Sequence, residues 1–215
     1  MIIAIDGTVA SGKGTIARRL SRWYGLPHMD TGRLYRATGV AALSKGVDFD
    51  DHEFLARIAL ALDLDDYGEA DLRTAEAGIA ASKVAAIPAV RAALLELQRA
   101  FAHQPGGAIL DGRDIGTVVC PEAEVKLWVD AQVERRAERR WKELTGKGES
   151  LTLDEMLTQL RERDARDRDR KDAPMLAAAD AVLIDTSDLT IDAAVDKARA
   201  AVEAAIAQKP ESSEP

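Results

Sequence analysis

The chain has a single cysteine, Cys120, no asparagine, and aromatic residues at only 4% of its 215 positions. One cysteine cannot form an intramolecular disulfide or a cysteine-rich zinc site, so Cys120 reads as a small buried apolar residue. Scarce aromatics leave few platforms for stacking bases. Acidic residues outnumber basic ones, 37 to 29, for a net charge of -8 and a pI near 5.0. That balance argues against nucleic-acid or anionic-membrane partners, both of which need a broad positive field. No apolar run approaches the roughly 20 residues of a membrane span. Residues Met1 to Asp6 form neither a basic leader nor a long apolar stretch, so the expected compartment is the cytoplasm. Any anionic ligand must be caught locally.

What is present is a globular balance, 47% hydrophobic and 31% charged residues, in a length that suits one compact domain. Residues 2–5, 108–110, 125–129 and 182–184 read as four short buried strands. Ile16, Leu20 and Trp23 stand at helical spacing after the first. Further helices are expected from Asp30 to Ser44, from Asp51 to Leu62, and over Ala75 to Phe101, where Pro88 kinks or splits the run. A closing helix from about Thr190 sets Val195, Ala198, Val202 and Ile206 on one side, with Asp192 at its positive N-terminal end. Strands alternating with helices imply an α/β fold, a parallel sheet flanked by helices with ligands beyond the strands' C-terminal ends. The domain is expected over 1–207, with 208–215 a frayed tail.

Directly after the first strand, Gly7-Thr8-Val9-Ala10-Ser11-Gly12-Lys13 has the G-x-x-x-x-G-K spacing of a phosphate-binding loop. Backbone N–H groups of such a loop curl around a phosphate, the helix N-terminus adds partial positive charge, and Lys13 reaches the β- and γ-phosphates of ATP, exposed to ligand rather than packed in the core. Gly14 follows where the general motif has Ser or Thr, and the hydroxyl comes one position later, at Thr15; small nucleotide kinases carry this variant. The guanine-reading Asn-Lys-x-Asp of GTPases needs an asparagine that is not there. Asp6 and Asp111, at strand ends near the loop, are candidates to help hold hydrated Mg²⁺ or equally to cap turns. No direct protein ligand of a metal is assigned. His28, His52 and His103 show no metal spacing and read as spacers.

Four further segments recur in a telling order: Asp30-Thr31-Gly32 with Tyr35-Arg36; Ala81-Ser82-Lys83 to Pro88 with Arg91; Asp111-Gly112-Arg113-Asp114; and Arg163 to Arg170, which alternates arginine and aspartate. Taken alone, Ser82 and Arg91 would be ordinary helix-surface residues, and the arginine–aspartate run a solvated face with intrahelical ion pairs. Arg163, Asp167 and Arg170 nonetheless share one face by i, i+4, i+7 spacing. The stretch 141–174 around them is so polar, with Gly146 and Gly148 near its start, that it suits a helical lid whose closure excludes water.

Together with the phosphate loop, these segments resemble bacterial cytidylate kinases over about residues 2–205. The resemblance implies that Gly7 to Thr15 bind ATP and that Thr31, Arg36, Arg113, Arg163 and Arg170 hold the CMP phosphate. It assigns cytosine to Ser82, Arg91 and Asp114, and the ribose to Asp167. Lys13, Arg113, Arg163 and Arg170 would then neutralise the transferring group. It also implies a nucleoside-monophosphate-binding region over about 31–101. There these kinases usually carry a β-rich insert, whereas Leu62 to Ala75 leaves room for little more than a loop. The expected reaction is transfer of the γ-phosphoryl of ATP to CMP or dCMP, with Mg²⁺, by a monomer. Kinases of UMP or of another small acceptor, and a P-loop ATPase acting as a switch, are the rivals. Arginines attract a phosphate dianion with bidentate forks, and cytosine, with an exocyclic amine donor and a ring-nitrogen acceptor, asks for both an acid and a donor.

Overall fold

The structure is a computed structural model that describes residues 1–208, so all but the first residue of the expected tail, 209–215, lies outside the described residues. A five-stranded sheet is built from β1 (Ile2–Gly7), β2 (His28–Asp30), β3 (Ala108–Asp111), β4 (Val125–Asp130) and β5 (Val182–Asp185). The order is β2-β3-β1-β4-β5 and every pairing is parallel. β1 is buried along its whole length because it pairs on both sides, Ile3 with Ile109 and Val125. A strand buried on both faces needs an unbroken apolar run, which Ile2-Ile3-Ala4-Ile5 supplies.

The helices are α1 (Lys13–Tyr24), α2 (Thr31–Ser44), α3 (His52–Leu60), α4 (Glu69–Leu72), α5 (Ala75–Val84), α6 (Pro88–Ala102), α7 (Val133–Thr145), α8 (Leu153–Asp169) and α9 (Ile191–Ala207). Asp51 caps α3 by accepting from the Phe54 N–H, and Thr190 caps α9 by accepting from the Ala193 N–H. Pro88 opens α6, where its missing N–H costs nothing, and α5 and α6 meet at 98°. No single helix among the described residues is long and apolar enough to cross a membrane. Where a β-rich insert is absent, Leu64–Asp66 forms a short helical turn ahead of α4.

Several expectations need correction. The sheet has a fifth strand, β2, because three residues hydrogen-bonded to β3 suffice for an edge and carry no alternation to see. The second helix starts at Thr31, leaving Asp30 at the end of β2. Ile16 and Leu20 are buried, but Trp23 is 64% exposed and lies under the Arg199 guanidinium, 4.5 Å from the ring centroid. Ala198 and Val202 point inward while Ile206 is exposed, since the last turn of α9 runs past the sheet. Cys120 is fully buried, as expected, and burial pushes its thiol up to about 11.

One face of the sheet is covered by α1 and α9, around Ile3, Ile5, Leu20, Leu127 and Val202. A separate core joins α2, α3, α5 and α6 through Leu34, Leu55, Val84 and Leu94. Here α2 and α5 touch backbone to backbone: a Cβ on Gly39 would fall 2.8 Å from that of Ala80 and 2.9 Å from its carbonyl carbon. That approach fixes Thr31 and Arg36 on α2 relative to Ser82 on α5.

Candidate active site

The phosphate loop leaves β1 at Gly7, whose φ of +141° and closeness to β4, where a Cβ would meet the Val129 carbonyl at 1.8 Å, exclude any other residue. Ala10 takes the left-handed conformation at φ 60°, a backbone state that non-glycine residues hold mostly where the surroundings enforce it. The loop is pinned from below. Thr8 donates its hydroxyl to Asp130 Oδ1 at 2.5 Å, Ser11 donates to the Thr8 carbonyl at 2.9 Å, and Thr186 after β5 donates to the Ser11 carbonyl at 2.8 Å. Thr8, Ser11 and Gly7 therefore shape the loop, while Val9, Ala10, Gly12, Lys13, Gly14 and Thr15 line the cleft above it.

Lys13 was expected to be exposed; it is 6% exposed, folded back to donate to the Thr8 carbonyl at 2.7 Å. Burial, helped by the Arg113 charge, lowers its pKa to about 7. A cation kept this dry and this close to a guanidinium is stabilised by an arriving anion.

The cleft, about 280 Å³, lies at the C-terminal ends of β1, β2 and β3 and between α5 and α8. Every residue that the resemblance assigned to the acceptor lines it: Thr31, Arg36, Ser82, Arg91, Arg113, Asp114, Arg163, Asp167 and Arg170. Among its lining side chains nine are cationic (Lys13 and arginines 18, 36, 73, 91, 113, 140, 163 and 170) and five acidic (Asp30, Asp111, Asp114, Glu143, Asp167), in a chain whose net charge is -8. The positive field that the protein lacks as a whole is concentrated here.

Within the cleft the charges fall into two groups. At one end Asp114 is buried between Arg91, which donates to its Oδ2, and Arg170, whose Nη2 stands 3.6 Å from Oδ1. At the other, Asp167 accepts from Arg113 Nε at 3.2 Å with Arg163 Nε 4.0 Å away. One carboxylate thus faces two guanidinium groups. Burial and Arg113 lower Arg163 to about 10, and both arginines together with Arg170 hold Asp167 below the usual carboxylate range against its burial. Arg36 is fixed by Asp30 at 2.6 Å, and Thr31 donates to the Asp111 carbonyl at 2.9 Å. Arg36 Nε, Arg163 Nε and Arg170 Nη2 are buried with no hydrogen-bond partner. Unsatisfied buried donors are costly, and three cationic ones around one cavity fit an anion with several oxygens.

The remaining expectations divide. Arg170 does not continue the α8 face, because the helix ends at Asp169 and Arg170 is extended; its guanidinium still reaches Asp114 and its Nε donates to the Ala173 carbonyl at 2.6 Å. Asp6 is not free for a metal: its two oxygens accept from the Ile115 and Gly116 N–H groups at 2.8 and 2.7 Å. Asp111 has only Oδ1 engaged, by His28 Nε2 at 2.7 Å, and its Oδ2 lies near Gly14. His28, read as a spacer, therefore orients a cleft carboxylate; His103 pairs with Glu122 on the surface.

A second cavity of about 340 Å³ lies on the other side of the loop, between Ser11, Gly12 and Thr15 and the residues Arg139, Arg140, Thr186 and Thr190. Arg139 donates to the Thr186 hydroxyl at 3.1 Å and carbonyl at 2.6 Å. Reasoning from sequence missed Arg139 and Thr186, although Asp185-Thr186-Ser187 stands at the C-terminal end of β5, as the phosphate loop, Asp30-Thr31 and Asp111-Gly112 stand at the ends of β1, β2 and β3. Buried Arg136 was missed too. It donates to the Ala131 carbonyl at 2.9 Å and to Asp164 at 2.6 Å, tying α7 to α8.

Residues 3–204 match the family model described as cytidylate kinase. A cytidylate kinase of Caulobacter vibrioides is 54% identical over 207 residues, 96% of this chain and 97% of its own. One of Cereibacter sphaeroides is 56% identical over 206 residues, with the same coverage. Among solved structures, an uncharacterized protein from Eubacterium ventriosum aligns with TM-score 0.53 at 14% identity, covering 94% of this chain and 98% of that one. A sugar kinase from Janibacter aligns with TM-score 0.50 at 14% identity, covering 94% of each chain. These two likenesses concern the fold alone.

Proposed function

The chain belongs to the cytidylate kinase family and is a kinase, and from that membership we propose that it transfers the γ-phosphoryl group of ATP to CMP, and to dCMP, releasing ADP and CDP or dCDP. The observation that carries this reading is the cluster of Arg36, Arg113, Arg163 and Arg170 facing Lys13 across one cavity, with three guanidinium nitrogens lacking a hydrogen-bond partner.

The acceptor is already an ionised phosphate oxygen, so no general base is needed and catalysis reduces to in-line positioning and charge neutralisation. The acceptor oxygen attacks the γ-phosphorus, the bond to the bridging oxygen breaks, and ADP leaves. Lys13 and the loop N–H groups take the donor phosphates, and Arg36, Arg113, Arg163 and Arg170 the acceptor phosphate. Arg91, Asp114 and Ser82 read the base, and Asp167 takes the ribose. The cavity beside Arg139 and Thr186 suits the donor's nucleoside, since it opens onto the outer side of the same loop. Mg²⁺ fits as a hydrated ion on the phosphates, where it would neutralise developing charge; Asp111 Oδ2 is the free carboxylate oxygen that would support it, and among the described residues no three-ligand cluster of His, Cys, Asp or Glu exists. Stretch 141–174 acts as the lid and 31–101 as the acceptor-binding region of one domain spanning 1–207. The protein works as a monomer in the cytoplasm, without nucleic-acid or membrane partners.

A coupled ADP-release assay with CMP, dCMP, UMP, AMP and no acceptor tests the reading. Turnover is expected with CMP and dCMP. Turnover with UMP alone would assign the acceptor differently, and ADP release without any acceptor would make the protein an ATPase.

A further inference from the structure

Ser82 is buried on α5, and its hydroxyl oxygen accepts a hydrogen bond from Arg166 Nε at 3.2 Å. The donor lies 84 residues further along, on α8, the helix that carries Arg163 and Asp167. Among the described residues Arg166 forms no ion pair, although Glu162 and Asp169 stand one helical turn to either side of it. Such neighbours ordinarily capture a helix-surface arginine. Here the guanidinium turns to a neutral hydroxyl at the wall of the cleft.

The chemistry of that hydroxyl gives the contact a consequence. A serine can donate one proton or accept on two lone pairs, so alone it serves the ring nitrogen of cytosine, an acceptor, as readily as the N–H of uracil, a donor. Arginine only donates. With an Arg166 N–H aimed at Oγ, one acceptor direction is occupied and the serine proton must point elsewhere. We propose that Arg166 is a positioning residue that occupies one of the two lone pairs of the Ser82 hydroxyl, biases it toward donating, and so tilts the base end of the cleft toward cytosine over uracil. The rest of that end is already complementary: Asp114 is an acceptor for an exocyclic amine, and Arg91 and Arg170 hold it in place. Because Arg166 rides on α8, the polarity of Ser82 depends on α8 being docked against α5, which couples base choice to closure of the cleft.

The inference rests on the reading of CMP as acceptor, and the two fail differently. Steady-state kcat/KM is measured for CMP and UMP on the full-length wild type, Arg166→Met, Arg166→Gln, Ser82→Ala and the Ser82→Ala/Arg166→Met double variant. Loss of one directed hydrogen bond predicts that Arg166→Met lowers the CMP-to-UMP ratio about tenfold, chiefly through CMP, at unchanged melting temperature. Arg166→Gln, which keeps an N–H donor, restores part of it. In the Ser82→Ala background Arg166→Met leaves the ratio unchanged, since the group it acts through is gone. Equal losses for both nucleotides, or the same ratio effect without Ser82, overturn the inference while leaving CMP as the acceptor. A wild type that turns over ATP without using CMP overturns the reading of the acceptor, and the inference with it.

Discussion

The two walls of the cleft are built in opposite ways. The phosphate loop is one continuous segment, Gly7 to Thr15, held from beneath by Asp130 and Thr186 at neighbouring strand ends, with its polar side chains satisfied internally. The acceptor wall is assembled from α2, α5, α6, α8 and the turn after β3, and it leaves cationic nitrogens of Arg36, Arg163 and Arg170 buried without hydrogen-bond partners. One wall is shaped before a ligand arrives. Under the proposed reading the other would be completed by it, since a bound anion would supply the acceptors that the fold withholds. The Arg136–Asp164 pair, buried on both sides, fastens α8 to α7 next to Arg163.

Two substitutions test that contrast most strongly. Lys13→Met removes the one cation of the preshaped wall, and kcat should fall by about 10³. Its melting temperature should not fall, because the wild type keeps a polar amine in a dry site at a cost whichever its charge. Unchanged turnover in the purified variant would sink the phosphate-loop assignment. On the acceptor wall, Arg170→Ala should lower kcat about a hundredfold while the KM for ATP stays within about threefold, since the donor is held elsewhere. Asp114 keeps Arg91, so the fold survives. A kcat within about threefold of wild type, far below the effect of a lost transition-state donor, reduces Arg170 to a structural residue.

The same contrast explains what could be read from sequence. The loop motif was legible because its chemistry sits in adjacent residues behind an apolar strand, and the α/β order followed from the alternation. Nothing local marks Ser82, Arg91 and Asp114 as neighbours; only the resemblance joined them, and the tertiary fold brings them into one cleft. β2 escaped notice because His28-Met29-Asp30 is too short for a period, and with it went the bond from His28 to Asp111. Trp23 fitted a helical stripe, yet its ring is covered by an arginine from α9, a contact with no sequence signature. Arg170 lines the cleft and reaches Asp114 although its spacing argument fails, because it stands extended just past α8 rather than on the face of that helix.

Base choice sharpens the comparison within the acceptor wall. The wild type should prefer CMP over UMP by at least about tenfold in kcat/KM, as unmatched buried hydrogen-bonding groups are costly. Asp114→Asn replaces a pure acceptor by an amide that also donates, and it frees Arg91 and Arg170 of their carboxylate. The preference should shrink by about tenfold, with UMP gaining relative to CMP. If the ratio stays constant while both rates drop, Asp114 only anchors its arginines.

The smallest effect concerns the proton on Lys13. In the ligand-free fold its pKa lies at about 7, below the ordinary lysine value of 10.5, because burial and Arg113 disfavour the charge. Between those values an unfolded chain holds this proton and the folded one does not, so Lys13 makes ligand-free stability rise with pH across that window. ATP reverses the preference: its phosphate charge favours the ammonium form, so binding should restore the lysine's ordinary pKa. Above about pH 7 the nucleotide must therefore bring a proton in from solvent, and its affinity should weaken as pH rises. Titration calorimetry at about pH 8 in two buffers of different ionisation enthalpy reads this directly. Uptake approaching one proton per site is expected for the wild type, and none for Lys13→Met, which has no amine to charge. Uptake that is absent from the wild type, or equal in the two proteins, would mean that Lys13 is already fully charged in the empty cleft and that the acceptor-wall arginines do not press on it.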